Sequence, residues 1–294
     1  MKLTIEHETR LAFPKPVREH QCELRLAPRE DETHRRLAFA LEVAPEARLA
    51  SHLDCFGNLV HRFTLLAPHD FLVARMSAEV ETTLDNPFAY VPVAPAAERA
   101  WVAERLRDEP ALHDFLLHRS PAVPELDGAL GDVALPTWDG GRTVLDNMQS
   151  AMGWAHESFA FATTTEVHGA LIEFAEHRRG VCQDFAHLLV ALARHWGFPA
   201  RYVMGYVDPG AVGDETPDSE AAHAWAEVLI PGAGWRGFDA MAGIVATDRY
   251  VPVAVGRDSR DAAPVRGTFK GDEGSTSPQV AVRVLRAAEE QAAQ

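Results

Sequence analysis

The sequence predicts an α+β protein, in which a β-sandwich-like domain comes first and helices packed on an antiparallel sheet follow. About the first 90 residues form short runs that alternate apolar and polar positions, with turn residues between them. Several segments between residues 96 and 196 then have apolar residues at helical spacing. After residue 199 the apolar residues again recur at every second position, as in a strand. Because strands and helices come in separate blocks, the α+β class is favoured. We place a β-rich N-terminal domain at 1–95 and the core at 96–294.

The size and charge of the chain limit what it can do. With 294 residues it exceeds one average domain, so two domains are expected. Its formal net charge is −15, from 28 basic and 43 acidic residues. Nucleic acids and anionic membranes bind clustered positive surfaces, so this balance argues against both as partners.

The cysteines and the N-terminus indicate a reducing compartment. Three cysteines do not make a disulfide scaffold in a chain of this length, and their spacing matches no zinc motif. The first residues contain no apolar leader segment, and no uncharged apolar run approaches the length that spans a bilayer. We therefore expect a soluble, cytoplasmic protein without a metal or other cofactor.

The N-terminal domain is predicted to be built from strands spaced as in a β-sandwich. A Phe-Pro-Lys-Pro turn is expected between the first two strands. Cys22 and Cys55 fall in this block, and we interpret them as structural because free cysteines commonly behave as small buried hydrophobes. The predicted strands are 3–13, 18–26, 36–43, 59–66 and 71–80.

The core is predicted to run from helices into strands. A Pro- and Gly-rich loop is expected at 121–141, a mobile acidic loop at 208–220, and a helical or frayed tail from residue 283. The predicted helices are 96–107, 144–161, 165–179 and 182–196, and the predicted strands are 200–207, 222–230 and 234–239.

The stretch over 180–187 reads Gly-Val-Cys-Gln-Asp-Phe-Ala-His and places Cys182 after a glycine break, at the start of a helical pattern. The positive end of a helix dipole favours thiolate over thiol, and the thiolate is the nucleophile. Backbone N–H groups at a helix start also lack intrahelical partners and can hold an oxyanion, with that of Cys182 the best placed. Gln183 is a second candidate donor to the oxyanion.

Two polar residues downstream complete a catalytic set. His223 begins an apolar strand pattern, and Asp239 ends another. A cysteine nucleophile, a histidine base and a carboxylate that orients the imidazole are the groups that acyl transfer needs. The side chains of Trp225 and His223 point to the same side of their predicted strand, so Trp225 is a candidate substrate contact. It either lines the cleft or lies in the core.

Four blocks of the chain closely resemble the bacterial transglutaminase-like proteins. They are residues 180–187, 197–206, 223–225 and 234–239, in the family's order. The segments Pro14-Lys-Pro-Val17 and Glu23-Leu-Arg-Leu-Ala-Pro28 look like the β-rich domain that often precedes this core, and residues 255–267 look like its C-terminal strands. The resemblance implies a papain-like transglutaminase core with Cys182 as nucleophile, His223 as general base and Asp239 as orienting carboxylate.

One turn departs from the family pattern. Asp239 is followed by Ala240-Met241-Ala242, whereas the family usually has Pro-Thr-Asn. Asp239 itself is retained, so the change concerns the turn that orients its carboxylate. Asp184 and His187 lie on the cysteine helix but are turned away from the thiol, and we expect packing or hydrogen-bonding roles for them.

These residues predict acyl transfer through a Cys182 thioester. We favour hydrolysis of a peptide or isopeptide amide, as in a cysteine protease or amidase. An amine in place of water would make the protein a transglutaminase or amide-forming acyltransferase, and the triad is the same for both. A further alternative is a non-catalytic peptide-binding module on the same fold, supported only by the altered turn. The expected partner is a peptide or protein substrate.

Overall fold

The computed structural model describes residues 1–162, 168–211, 222–271 and 278–286. Within these ranges the helices are α1 (Pro95–Asp108), α2 (Asp114–Leu117), α3 (Val144–Ser158), α4 (Leu171–His177) and α5 (Cys182–His195). The strands are β1 (Lys2–Leu24), β2 (His34–Ala44), β3 (Ala50–Leu53), β4 (Leu59–Leu65), β5 (His69–Thr82), β6 (Ala129–Leu130), β7 (Val133–Ala134), β8 (Ala160–Phe161), β9 (Arg179–Gly180), β10 (Ala200–Val207), β11 (Ala222–Ile230), β12 (Gly234–Asp239), β13 (Ile244–Val245), β14 (Tyr250–Gly256), β15 (Val265–Lys270) and β16 (Gln279–Arg286).

One long strand, β1, organises the N-terminal sheet. Its first half pairs with β5, and its second half pairs with β4. The turn predicted at Phe13-Pro-Lys-Pro is wrong, because the strand continues through it. The register with β5 shifts between Ala12 and Val17, so the two prolines lie where the strand changes partners. Proline has no N–H to donate to a sheet, and a break in the pairing is a position that tolerates it.

The last two strands also belong to this sheet. Leu3 of β1 pairs with Arg286 of β16, and Leu24 of β1 pairs with Val265 of β15. The prediction of a helical or frayed tail from residue 283 is wrong up to Arg286, because main-chain pairing with β1 overrides the local helix propensity. Residues 287–294 lie outside the described ranges. The boundary at residue 95 stays a prediction. The strands β15 and β16, which lie beyond the core strands in the chain, share a sheet with β1.

The core is an antiparallel sheet with the order β13-β12-β11-β10-β14, and α5 packs against β10 and β11. The predicted α+β class is therefore confirmed. Strands β10, β11 and β12 have the predicted bounds. One face of β11, with Ala226 and Val228, packs on α5 in a buried cluster, and the alternate face carries His223 and Trp225. The strand β14 was not predicted.

The helix predicted at 165–179 is shorter and covers Leu171–His177. Glu173 Oε2 accepts hydrogen bonds from the amides of Gly169 and Ala170, so the helix starts after them. Residues 163–167 lie outside the described ranges, and so do residues 212–220 of the predicted acidic loop.

The two sheets are in direct contact through a shared apolar cluster. Ile5 and Met76 of the N-terminal sheet and Tyr206 of the core sheet are buried in it. The Tyr206 hydroxyl lies 3.0 Å from Nδ1 of His7, whose other ring nitrogen lies 2.6 Å from the Thr9 hydroxyl. Across the described ranges, no helix combines the length and the apolar character needed to cross a membrane.

Candidate active site

The site begins where α5 begins, at Cys182. The Asp184 carboxylate accepts a hydrogen bond from the backbone N–H of Val181 at 2.9 Å, which caps the helix. Gly180 makes this approach possible, since a Cβ there would lie 2.4 Å from Oδ2 of Asp184 and 2.6 Å from the Phe174 ring. The glycine break in the sequence therefore has a steric cause. Cys182 is partly exposed, in contrast to buried Cys22.

His223 connects Cys182 to Asp239. Its Nε2 lies 2.7 Å from Oδ2 of Asp239, which is buried. The Cys182 side chain lies close enough to the His223 ring to act on its pKa. The structure thus brings together three side chains from α5, β11 and β12, in the order that the sequence predicts for a triad.

The electrostatics of the pair favour a charged imidazole beside a charged carboxylate. Burial alone would lower the pKa of His223, but the charges of Asp239 and Cys182 and its hydrogen bonds to both raise it well above the ordinary value. Burial would likewise raise the pKa of Asp239, but the His223 charge and several hydrogen bonds lower it. An imidazolium beside the sulfur stabilises a thiolate, which is the form that attacks carbonyl carbon.

Asp239 is held by two further donors. The Tyr250 hydroxyl donates to Oδ2 at 2.8 Å, and the backbone N–H of Ala242 donates to Oδ1 at 3.1 Å. The Ala240-Met241-Ala242 turn therefore still supplies a backbone donor to the carboxylate.

A histidine from α3 holds this turn in place. Nδ1 of His156 lies 3.2 Å from the carbonyl oxygen of Ala240 and 3.0 Å from that of Met241. Both carbonyls only accept, so Nδ1 carries the proton and donates. Gly243 has φ +70°, and a Cβ there would lie 3.2 Å from the His156 ring. A glycine at this position lets the turn close against the ring.

Gln183 follows Cys182 on α5 and is half-buried, and its role at the oxyanion stays a prediction. Trp225 is 1% exposed, so of its two predicted roles the structure shows the core position. Its ring stacks near the His223 ring, with centroids 6.4 Å apart, and meets the Tyr250 ring edge-on at 5.2 Å. Gly205 leaves room for this indole, since a Cβ there would lie 2.5 Å from it.

His187 points away from the thiol, as expected. Its Nε2 accepts a hydrogen bond from the Ser259 backbone N–H at 3.1 Å, so the ring is neutral with its proton on Nδ1. Burial lowers the pKa of His187 to about 4. Together with the cap at Asp184, this gives both residues supporting roles in fixing α5.

Sequence patterns missed Tyr250 and His156, which both act on the Asp239 region. Tyr250 begins an apolar strand, and His156 ends a helix, with nothing local to distinguish either from core or surface residues. Only the pairing of β14 with β10 and the packing of α3 on β12 bring them to Asp239.

Comparisons with known proteins show the family and the fold of the chain. Residues 132–240 match the profile of the transglutaminase-like superfamily, and residues 3–81 match that of the bacterial transglutaminase-like N-terminal region. An uncharacterised protein of Mycobacterium leprae is 30% identical over 98% of this chain and 99% of its own length. One of Mycobacterium tuberculosis is 29% identical over 88% of this chain and 85% of its own.

A solved structure from Cytophaga hutchinsonii, named "a putative cysteine protease", has the same fold. It aligns with a TM-score of 0.66 over 97% of this chain and 90% of its own, at 20% identity. At this identity the likeness concerns the fold, and the chemistry must be argued from the side chains.

Proposed function

This chain belongs to the transglutaminase-like superfamily, and on that premise we propose that it catalyses cysteine-dependent acyl transfer on peptide or isopeptide amides, with hydrolysis as the outcome. The observation that carries the proposal is the 2.7 Å contact between His223 and Asp239, together with the position of Cys182 at the start of α5, where its side chain acts on the pKa of His223. These three residues supply a nucleophile, a proton carrier and an orienting carboxylate.

In the first half of the reaction, Cys182 Sγ attacks the amide carbonyl carbon as a thiolate. The negative oxygen of the tetrahedral intermediate is held by backbone N–H groups at the start of α5. The carbon–nitrogen bond then breaks, and the amine leaves with the proton that His223 held. A thioester remains on Cys182.

In the second half, water attacks the thioester carbonyl and gives its proton to His223. The carbon–sulfur bond breaks, the carboxylic acid leaves, and Cys182 returns as the thiolate beside the imidazolium. Asp239 keeps the ring oriented in both halves and stabilises its positive charge. If an amine takes the place of water, the same steps give a new amide.

The non-catalytic alternative loses its support at the turn after Asp239. That alternative rested on the Ala240-Met241-Ala242 departure alone. The hydrogen bond from the Ala242 amide to Asp239 supports the catalytic proposal over this alternative. The peptide or protein substrate and the cytoplasmic location stay predictions.

Selective alkylation tests whether Cys182 is the reactive thiol. We expect iodoacetamide near neutral pH to modify Cys182 faster than exposed Cys55, and faster than Cys22, where burial raises the pKa to about 12. Mass spectrometry of each cysteine peptide gives the three rates. His223→Ala should slow the reaction at Cys182, while His52→Ala, which changes an exposed histidine of β3, should not. If Cys182 reacts no faster than Cys55, the enzyme assignment fails.

A peptide library incubated with a labelled primary amine separates the two acyl acceptors. Peptide cleavage without incorporation of the label is the result expected for hydrolysis. Incorporation of the label into peptides would replace the hydrolase assignment with a transglutaminase. The Cys182→Ala protein is the control for both products.

A further inference from the structure

A cavity of about 320 Å³ lies between the N-terminal region and the core sheet. Its walls come from the segment between β1 and β2, from α1, and from β11, β12 and β14. Cavities that bind small molecules have volumes of about 300–1,000 Å³, so this one has room for a small ligand. Within the described ranges, its lining does not include Cys182, His223 or Asp239. It is therefore separate from the candidate active site.

Trp225 in the wall of this cavity has an unsatisfied donor. The side chain is 1% exposed, and its indole N–H has no acceptor in the part of the chain that the structure describes. Gly237, also in the wall, lets the backbone lie close to this edge of the ring, since a Cβ there would lie 3.0 Å from Nε1 and 2.6 Å from the Cβ of Ala246. A buried donor without an acceptor is unfavourable, so a bound group that accepts from it is favoured.

The cavity wall contains further donors that await an acceptor. Nε of Arg105 is buried and has no acceptor among the described residues. Arg29 uses Nη1 to bind only neutral oxygens, those of the Phe56 carbonyl and the Asn58 side chain. Arg236 likewise binds only the carbonyl oxygens of Pro87 and Trp235. Arg29 and Arg236 are thus guanidinium groups bound to neutral oxygens, and the exposed Glu32 carboxylate lies in the same wall.

Most of the carboxylates in the wall are already paired. Glu227 lies 2.6 Å from Arg201, Asp31 lies 2.9 Å from His34, and Glu109 pairs with Arg105. Within each pair the two charges cancel. Among the described residues, Arg29 and Arg236 have no carboxylate within hydrogen-bond distance. Charge-assisted hydrogen bonds are stronger than neutral ones, which favours a ligand with negative oxygen atoms at these two guanidinium groups.

We propose that this cavity binds a small organic carboxylate. Its oxygens accept hydrogen bonds from Trp225 Nε1 and from the Arg29 guanidinium, and its apolar body lies against the rings and the Leu229 side chain of the wall. The site goes beyond the proposed acyl transfer and does not depend on it. Because Trp225 stacks near His223 and Tyr250 bonds Asp239, two walls of the cavity also support the triad.

Nuclear magnetic resonance of the indole N–H groups tests the proposal directly. The chain has six tryptophans, and Trp225→Phe identifies the Trp225 resonance. Sodium benzoate is the probe, benzamide is its neutral isostere, and sodium chloride at equal ionic strength controls for salt. We expect benzoate to shift the Trp225 resonance saturably, and benzamide to bind at least about tenfold more weakly.

Arg29→Gln should weaken benzoate binding by about tenfold, with the other five indole resonances unchanged as the sign of an intact fold. If this variant does not fold, Arg236→Gln takes its place with the same expectation. Absence of a saturable shift with benzoate would mean that water alone fills the cavity, and would overturn the proposal. Equal binding of benzoate and benzamide would overturn the assignment of an anion site.

Discussion

The Tyr250 hydroxyl and Asp239 are joined by a buried hydrogen bond of 2.8 Å, made to the same carboxylate oxygen that lies 2.7 Å from His223 Nε2. This one oxygen thus has hydrogen-bond contacts with a phenol hydroxyl from β14 and an imidazole nitrogen from β11. The orientation of the imidazole depends on three strands of the core sheet, and only two of them carry residues of the predicted triad.

Tyr250→Phe should slow alkylation of Cys182 by iodoacetamide about tenfold at neutral pH. A hydrogen bond to a charged group contributes about 1.5–3 kcal/mol, and its loss leaves the carboxylate less able to hold the imidazolium. Rates are measured as the loss of the unmodified Cys182 peptide. Tyr206→Phe is the matched control, since that buried hydroxyl bonds His7 instead. Equal rates in the two variants would contradict the role of Tyr250.

His156→Ala should also slow alkylation of Cys182, because the turn that offers the Ala242 amide to Asp239 loses its two hydrogen bonds to α3. His156→Asn should restore most of the rate, since the asparagine amide nitrogen sits close to the position of Nδ1. The same peptide assay gives both rates. If the alanine and asparagine variants behave alike, the donor at His156 has no part in holding the turn.

Gly180→Ala should destabilise the fold. The added methyl would meet Asp184 and Phe174 well inside contact distance, and overpacking of this kind costs about 1–3 kcal/mol. Urea unfolding gives the free energy. Gly153→Ala within α3 is the control, since no atom lies within 4 Å of the added Cβ and alanine favours a helix by up to about 1 kcal/mol. A stable Gly180→Ala protein would show that the helix start tolerates a side chain there.

His7 should make the contact between the two sheets sensitive to acid. Burial lowers the pKa of His7 to about 4, whereas an unfolded histidine titrates near its ordinary value of 6.5. As the pH falls below about 6.5, the unfolded state takes up the proton first, so stability is lost until about pH 4, by up to about 3 kcal/mol.

His7→Gln removes this titration, and urea unfolding between pH 7 and pH 4 should show a smaller loss of stability than in the parent protein. His52→Gln, on the exposed strand β3, should leave the pH dependence as it was. A pH dependence unchanged by His7→Gln would show that other groups govern the acid loss.

The sequence predicts the helix at Cys182 and the strands around His223 and Asp239 because their periodicity is local. It does not predict that β1 runs through Pro14 and Pro16, or that β16 pairs with Leu3, because such pairings depend on partners far away in the chain. The same limit applies to the site. Residue type and order single out Cys182, His223 and Asp239, whereas Tyr250 and His156 matter only through contacts made after the sheet has formed.

The pairing of β1 with β15 and β16 sets the order in which the chain can complete its fold. During synthesis β1 leaves the ribosome before the other strands of its sheet, and β4 and β5 can cover one edge of it soon afterwards. The opposite edge stays open until the whole core between Thr82 and Val265 has been made. Open edges recruit strands from other chains, so nascent or truncated forms that end before Val265 should be the aggregation-prone ones.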